Sequence, residues 1–263
     1  MMKSTKLAAA LVLALGSGAA AAYSIQSPST TGSVILWAEG PAGVLAPSAS
    51  ATLIGVLAGD STTPGGNVEL SKFGGPVSTL TGTLNGNAIT LSSLTMADWF
   101  VGGNATALTT SYISGAYKAA FGTDITASQL STAVAGFGTA NAALGGRAPY
   151  QLVSDPNISY VLLNNDAVTI GLAGLLNAGA FLKTIDPSAP ATAYASEVVK
   201  VTYNGATSYL YSFAQPGVSG VHAQDGVSYA GDYPVTLQVP EPASMSLVAL
   251  GLGGLAALRR RRT

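Results

Sequence analysis

Glu197-Val198-Val199-Lys200-Val201-Thr202-Tyr203-Asn204-Gly205-Ala206-Thr207-Ser208-Tyr209-Leu210-Tyr211-Ser212-Phe213 reads as two strands joined by a tight turn. Asn204-Gly205 tolerates the positive φ angles of a two-residue hairpin loop. On the first arm Val199, Val201 and Tyr203 alternate onto one face, the period-two signature of a half-buried strand. Tyr209 and Tyr211 sit on the facing arm. A sheet is therefore expected.

Downstream, Tyr233–Val239 reads as a last strand. Upstream, Ile158–Leu163 and Val168–Leu172 flank Asn164-Asn165-Asp166 as a second hairpin. Ser78–Leu84 and Ala88–Leu94 flank Asn85-Gly86-Asn87 as a third. Short apolar runs at Ser33–Ala38 and Thr52–Ala58 are consistent with strands. Ser27–Thr31 reads as an extended start, Pro41–Ser50 as a loop and Gly59–Asn67 as turns. Leu172–Leu182 fits helix or loop, since periodicity does not decide it. Between residues 95 and 143 the period changes. Thr95–Val101, Thr106–Phe121 and Thr126–Ala143 carry apolar residues at helical spacing. Thr126 and Gln129 fit a capping box, and Gly145-Gly146 is the expected stop. The expected fold is α+β: a single β-rich domain with a helical segment near 95–143. No repeat of fixed period is visible, which argues against a solenoid or propeller.

Composition narrows the chemistry. Of 263 residues, 48% are hydrophobic and only 9% charged, against about 25% charged in ordinary globular chains. That balance is the reverse of intrinsic disorder. There is no cysteine and one histidine, so disulfides, thiolate metal sites, cysteine nucleophiles and multi-histidine metal sites are excluded. The net charge of −1 gives no basic groove for nucleic acid. It conceals an asymmetry. Six basic residues, Lys3, Lys6 and Arg259–Arg262, lie at the two ends. The middle, Tyr23–Pro240, holds five basic against eleven acidic residues, a formal charge of −6.

The two ends carry the strongest signals. Lys3 and Lys6, the apolar run Leu7–Leu15 and the small residues Gly16–Ala22 compose a secretory signal peptide over residues 1–22. Ala20 and Ala22 supply the small-x-small pattern that signal peptidase recognises, so the mature chain is expected to start at Tyr23. At the other end Val239-Pro240-Glu241-Pro242 precedes an uncharged run ending at Leu258, then Arg259, Arg260, Arg261 and Arg262. Pro242 can open a helix, and Ala243–Leu258 spans about 24 Å at ~1.5 Å per residue, a short but usable transmembrane helix. The arginines should stay on the cytoplasmic side.

This ordered set resembles the PEP-CTERM sorting signal of bacterial exported proteins, over residues 239–263. The resemblance implies processing by an exosortase, with Pro240, Glu241 and Pro242 as the recognition element. Leu247–Leu258 would hold the tail in the membrane and Arg259–Arg262 would fix its orientation. The implied route runs through the inner membrane to the cell surface or extracellular matrix. The body, residues 23–238, resembles an uncharacterised family of exported proteins with the same tail. That resemblance rests on Asp98-Trp99-Phe100, on Asp155-Pro156-Asn157-Ile158-Ser159-Tyr160 and on Ser196 to Gly205. It implies a shared fold over about residues 90–235 and no activity.

No catalytic set emerges from the residues. His222 has Asp225 three positions on, but no Gly-x-Ser-x-Gly elbow exists, and Gly217-Val218-Ser219-Gly220 lacks the spacing. Gly251-Leu252-Gly253-Gly254 imitates a dinucleotide loop inside the apolar tail, where a small-residue helix face is the simpler reading. The eleven body carboxylates are scattered, most beside turn residues, and no calcium loop is present. Trp37, Trp99 and the tyrosines could stack on sugars, or simply pack a core. The expectation is a non-enzymatic surface or matrix protein, associated with exopolysaccharide, without metal or cofactor. The alternatives are an exported polysaccharide-acting enzyme and a glycan-binding module. Carboxyl groups and exposed aromatics converging in one cleft would favour the enzyme.

Overall fold

The computed structural model describes residues 23–71, 76–164, 167–173, 175–217, 221–223 and 233–238. The expected signal peptide, the Pro240-Glu241-Pro242 motif, the tail helix and the arginine cluster lie outside the described residues. Among the described residues no helix is long and apolar enough to cross a membrane.

Four strands open the chain: β1 (Tyr23–Ser24), β2 (Gln26–Thr31), β3 (Val34–Glu39) and β4 (Val44–Pro47). The loop expected over Pro41–Ser50 thus contains a strand. The Thr52–Ala58 run, expected as a strand, forms instead a single helical turn, α1 (Leu53–Val56). The cause is local: the Thr52 hydroxyl accepts the Gly55 amide at 3.1 Å and caps the turn. β5 (Gly66–Leu70) follows, then the hairpin of β6 (Thr79–Leu84) and β7 (Asn87–Ser92). Its loop residues Asn85 and Gly86 have φ of 47° and 79°, as the sequence requires.

The helical segment holds α2 (Met96–Trp99), the short pair β8 (Phe100–Val101) and β9 (Asn104–Ala105), α3 (Ala107–Phe121) and α4 (Ala127–Phe137). The Thr126–Gln129 capping box forms as expected. α4 stops at Phe137 rather than near Gly145, because Gly136 and Gly138 weaken its last turn; residues 142–144 make only a 3-10 turn. β10 (Asn157–Asn164) and β11 (Ala167–Ala173) form the second expected hairpin. Then come β12 (Leu175–Asn177), α5 (Gly179–Leu182) and β13 (Tyr194–Ser196). β14 (Val199–Tyr203) and β15 (Ala206–Leu210) are the Asn204-Gly205 hairpin, followed by β16 (His222–Ala223) and β17 (Tyr233–Gln238).

Two larger sheets organise most of these strands, while β8 with β9 and β12 with β13 form separate pairs. One runs β16-β4-β3-β5-β10-β11-β17, with β1 added to β10. The other runs β15-β14-β7-β6-β2. They share one apolar core: Val68 and Leu70 of β5, Val168, Ile170 and Leu172 of β11, and Tyr233 and Val235 of β17 meet Leu80, Ile89, Leu91, Val199 and Val201. The alternation of β14 fulfils its sequence pattern, since Val199, Val201 and Tyr203 are all buried. A second core lies under α3 and α4 around Trp99, Tyr112, Phe137, Leu182 and Val198. Trp99 is fully enclosed, its ring edge-on to Tyr112 and Phe137 at centroid distances of 5.6 and 5.3 Å.

Candidate functional site

The described residues on either side of the two expected processing segments lie at one end of one sheet. Tyr23 of β1 pairs with Leu163 of β10. Leu163 pairs with Val168 of β11, and Val168 with Leu237 of β17. One row therefore crosses four strands from the first described residue to the last strand. β17 runs antiparallel to β11 and ends at Gln238, opposite Ala167. The chain enters and leaves the sheet beside the closed end of the β10–β11 hairpin, about 14 Å apart across three strand spacings of ~4.8 Å. β17 is no loose tether. Tyr233 and Val235 are buried, and pairing with β11 continues over six residues.

The three body stretches that carried the family resemblance also meet, at the seam between the two cores. The Asp98 carboxylate accepts from the Thr95 amide and hydroxyl at 2.8 and 2.9 Å, closing a capping box on α2. Its other oxygen accepts from Lys200 Nζ at 2.8 Å and the Tyr209 hydroxyl at 2.7 Å. Burial pushes this carboxyl up, but the donors of Lys200, Thr95 and Tyr209 together outweigh it and hold Asp98 below its usual value. Trp99 Nε1 donates to Ser154 Oγ at 2.8 Å, and the Val198 amide to the Val153 carbonyl at 2.9 Å. Glu197 accepts from the Asn157 amide at 2.7 Å and from its side chain at 3.0 Å. Burial pushes the Glu197 carboxyl well above its ordinary range, and the charges of Asp155 and Glu69 push the same way against the Asn157 bonds. Glu69, the register partner of Asn157, accepts from Trp37 Nε1 at 2.8 Å.

Carboxyl groups and a tryptophan do gather here, yet they face inward: Glu69 and Glu197 are buried. The described cavities lie elsewhere. One of about 330 Å³ is lined by Ser61, Ser212, Gln215, Tyr233 and Pro234 among others. A much smaller apolar one, about 20 Å³, lies among Tyr112, Ile113, Phe137 and Phe181. Neither is lined by a carboxylate. Among the described residues no group of three or more histidines or acids is placed to hold a metal ion. His222 sits in β16 beside Val44; Asp225, three positions on, lies outside the described residues.

Sequence reading missed one surface. On the side of the β15–β2 sheet away from the core, hydroxyls align across all five strands. Ser29, Thr81, Thr90, Thr202 and Thr207 form one row of register partners. Thr31, Thr79, Ser92, Lys200 and Tyr209 form the next, whose Lys200 and Tyr209 end is covered by Asp98 of α2. Neighbours bond in pairs: Ser29 with Thr81 at 2.9 Å, Thr31 with Thr79 at 2.8 Å, Thr202 with Thr207 at 2.9 Å. The signal in the sequence was Thr79-x-Thr81-x-Thr83. It becomes a surface only once five strands are in register.

Residues 238–262 match the PEP-CTERM protein-sorting motif. The match starts on the last residue of β17. No curated protein and no solved structure matches the chain. A PEP-CTERM motif implies exosortase-dependent sorting of an exported protein, by way of the membrane.

Proposed function

We propose that the chain is a non-enzymatic protein of the cell surface or extracellular matrix, associated with biofilm exopolysaccharide and delivered by its own tail. The observation that carries the reading is the sorting motif at residues 238–262, placed directly behind a β-rich body. In this reading signal peptidase cuts after Ala22, with Ala20 and Ala22 as its recognition residues. Ala243–Leu258 then arrests the chain in the inner membrane, and Arg259, Arg260, Arg261 and Arg262 resist crossing. Pro240, Glu241 and Pro242 form the element read by exosortase. Two prolines keep that element extended and out of the helix, open to an enzyme at the outer membrane–water boundary.

Replacing Pro240, Glu241 and Pro242 together by alanine tests the proposal. Export depends on Leu7–Leu15 and arrest on the tail helix, and both are untouched. The variant should accumulate in the inner membrane at its signal-cleaved, uncut length, as read by fractionation and mass spectrometry of both ends. Surface material lacking the tail at wild-type yield would sink the reading. A second reading, a glycan-binding module, draws support from the uncharged hydroxyl row of Ser29, Thr81, Thr90, Thr202 and Thr207 on the sheet face away from the shared core. Co-sedimentation with purified exopolysaccharide, lost in a Thr81→Val/Thr90→Val/Thr202→Val variant, would favour it.

A further inference from the structure

We infer that the end of the body formed by Tyr23, Leu163, Asn164, Ala167 and Gln238 faces the lipid headgroups while the chain is uncut, so that the sorting motif is read in a narrow gap between the sheet and the membrane. The inference rests on the sorting reading above and adds an orientation to it.

Strand register and chain reach carry the argument. β17 remains zipped to β11 as far as Gln238, opposite Ala167. The uncharged run expected to enter the membrane starts at Ala243, five residues further on. Five residues reach at most about 17 Å when fully extended. Headgroups on one side occupy roughly 5–8 Å of that. The end of β17 is therefore held within about 10 Å of the headgroup surface. Pro240 and Pro242 remove conformations from this short link, which limits how far the body can swing. The N-terminal junction adds a second constraint, since β1 enters the same sheet end beside Leu163. Before signal cleavage both membrane-bound segments would leave the body from one side.

The opposite end of the sheet points away. Asn157, at the start of β10, lies seven residues from Asn164, about 23 Å at ~3.3 Å per residue. Ser33 lies beyond that end, where its carbonyl accepts the Ser71 amide at 2.9 Å while the Leu70 amide bonds Pro156. Cutting removes the tether, so the orientation belongs to the precursor. It also explains why a body can be docked close to its processing enzyme without a flexible linker: the last strand itself ends at the motif.

The absence of cysteine makes the test direct. The full chain carrying Asn164→Cys or Ser33→Cys, both at exposed positions, is expressed in a host without exosortase, so that the uncut form stays in the inner membrane. Spheroplasts are labelled with a thiol-reactive fluorophore and exposed to a spin-labelled phospholipid quencher, then to aqueous iodide. The expected result is several-fold stronger lipid quenching at position 164 than at 33. Inserting twelve Gly/Ser residues after Gln238, with a mean reach of about 20 Å, should abolish the difference. Equal lipid quenching at both positions would overturn the inference. So would shielding of position 164 from iodide without lipid quenching, which would mean that a protein covers this end. A parallel host containing exosortase separates the two claims. If the unaltered chain is not cut there, the sorting reading fails; if it is cut while the quenching pattern is flat, only the orientation fails.

Discussion

Asp98 binds four donors from three segments, and its substitution should be felt across the seam. Asp98→Asn keeps an oxygen for Thr95 but turns an amide toward Lys200 and Tyr209. Loss of an ion pair enclosed at its Asp98 end and partly exposed at Lys200, with its bonds, should cost about 2–3 kcal/mol. For a chain of this size that lowers the melting temperature by roughly 5–10 °C. The pH dependence has a definite sign. The folded value of Asp98 is depressed, so its contribution is present above the unfolded value near ~3.9 and is lost as pH falls through the folded one. The folded value of Lys200 is raised, so its share persists below the unfolded value near ~10.4 and disappears as pH rises through the folded one. The gap between wild type and Asp98→Asn should be wide between those limits and close in acid. Glu197 behaves in the opposite sense. Its folded value is raised, so it favours folding below about pH 4.3 and disfavours it increasingly as pH rises toward the folded value. Glu197→Gln can keep both contacts if the Asn157 amide rotates. The variant should gain on wild type as pH rises from about 4.3 to neutrality, and a melting difference independent of pH would refute the buried-charge account.

Two strands illustrate how much one element depends on its neighbour. β10 slips register between Ile158 and Tyr160, and that slip sets the Tyr160 ring over Gly171 of β11. A methyl placed on Gly171 would overlap the Cδ1, Cε1 and Cζ atoms of that ring. Gly171→Ala should therefore cost about 1–3 kcal/mol or displace Tyr160, visible in near-ultraviolet circular dichroism. A normal spectrum at unchanged stability would contradict the packing. The hairpins at Asn85-Gly86 and Asn204-Gly205 were legible in advance, because their turn chemistry is local and the φ angles demand those residues. The bulge in β10 was not legible, since nothing in Ile158-Ser159-Tyr160 marks it; it arises from pairing on both edges. α1 was misread for a related reason. Leu53-Ile54-Gly55-Val56 is apolar enough for either state, and a single capping bond at Thr52 decided it.

The extent of the folded body can be tested through its last strand. A chain ending at Gln238 should fold, while one ending at Asp232 should not. The shorter chain forfeits burial of Tyr233 and Val235, worth about 3–6 kcal/mol, together with a six-residue ladder on β11. That approaches the whole stability of an ordinary domain, about 5–15 kcal/mol. Cooperative unfolding of both chains at the same temperature would show that β17 belongs to the tail and not to the sheet. By itself the sequence carried the sorting motif at residues 238–262, the β-rich character and the turns of the hairpins. Each of these depends on residues adjacent in the chain: a hydrophobic run beside charges, an alternation, an Asn-Gly pair. Only the tertiary structure decided that Asp98 would meet Lys200 across 102 positions, that the threonines of five strands would share one face, and that Tyr23 and Gln238 would leave the sheet at the same end. Those outcomes follow from strand order and register, which are chosen by burial of the common core and leave no mark in any single stretch of chain.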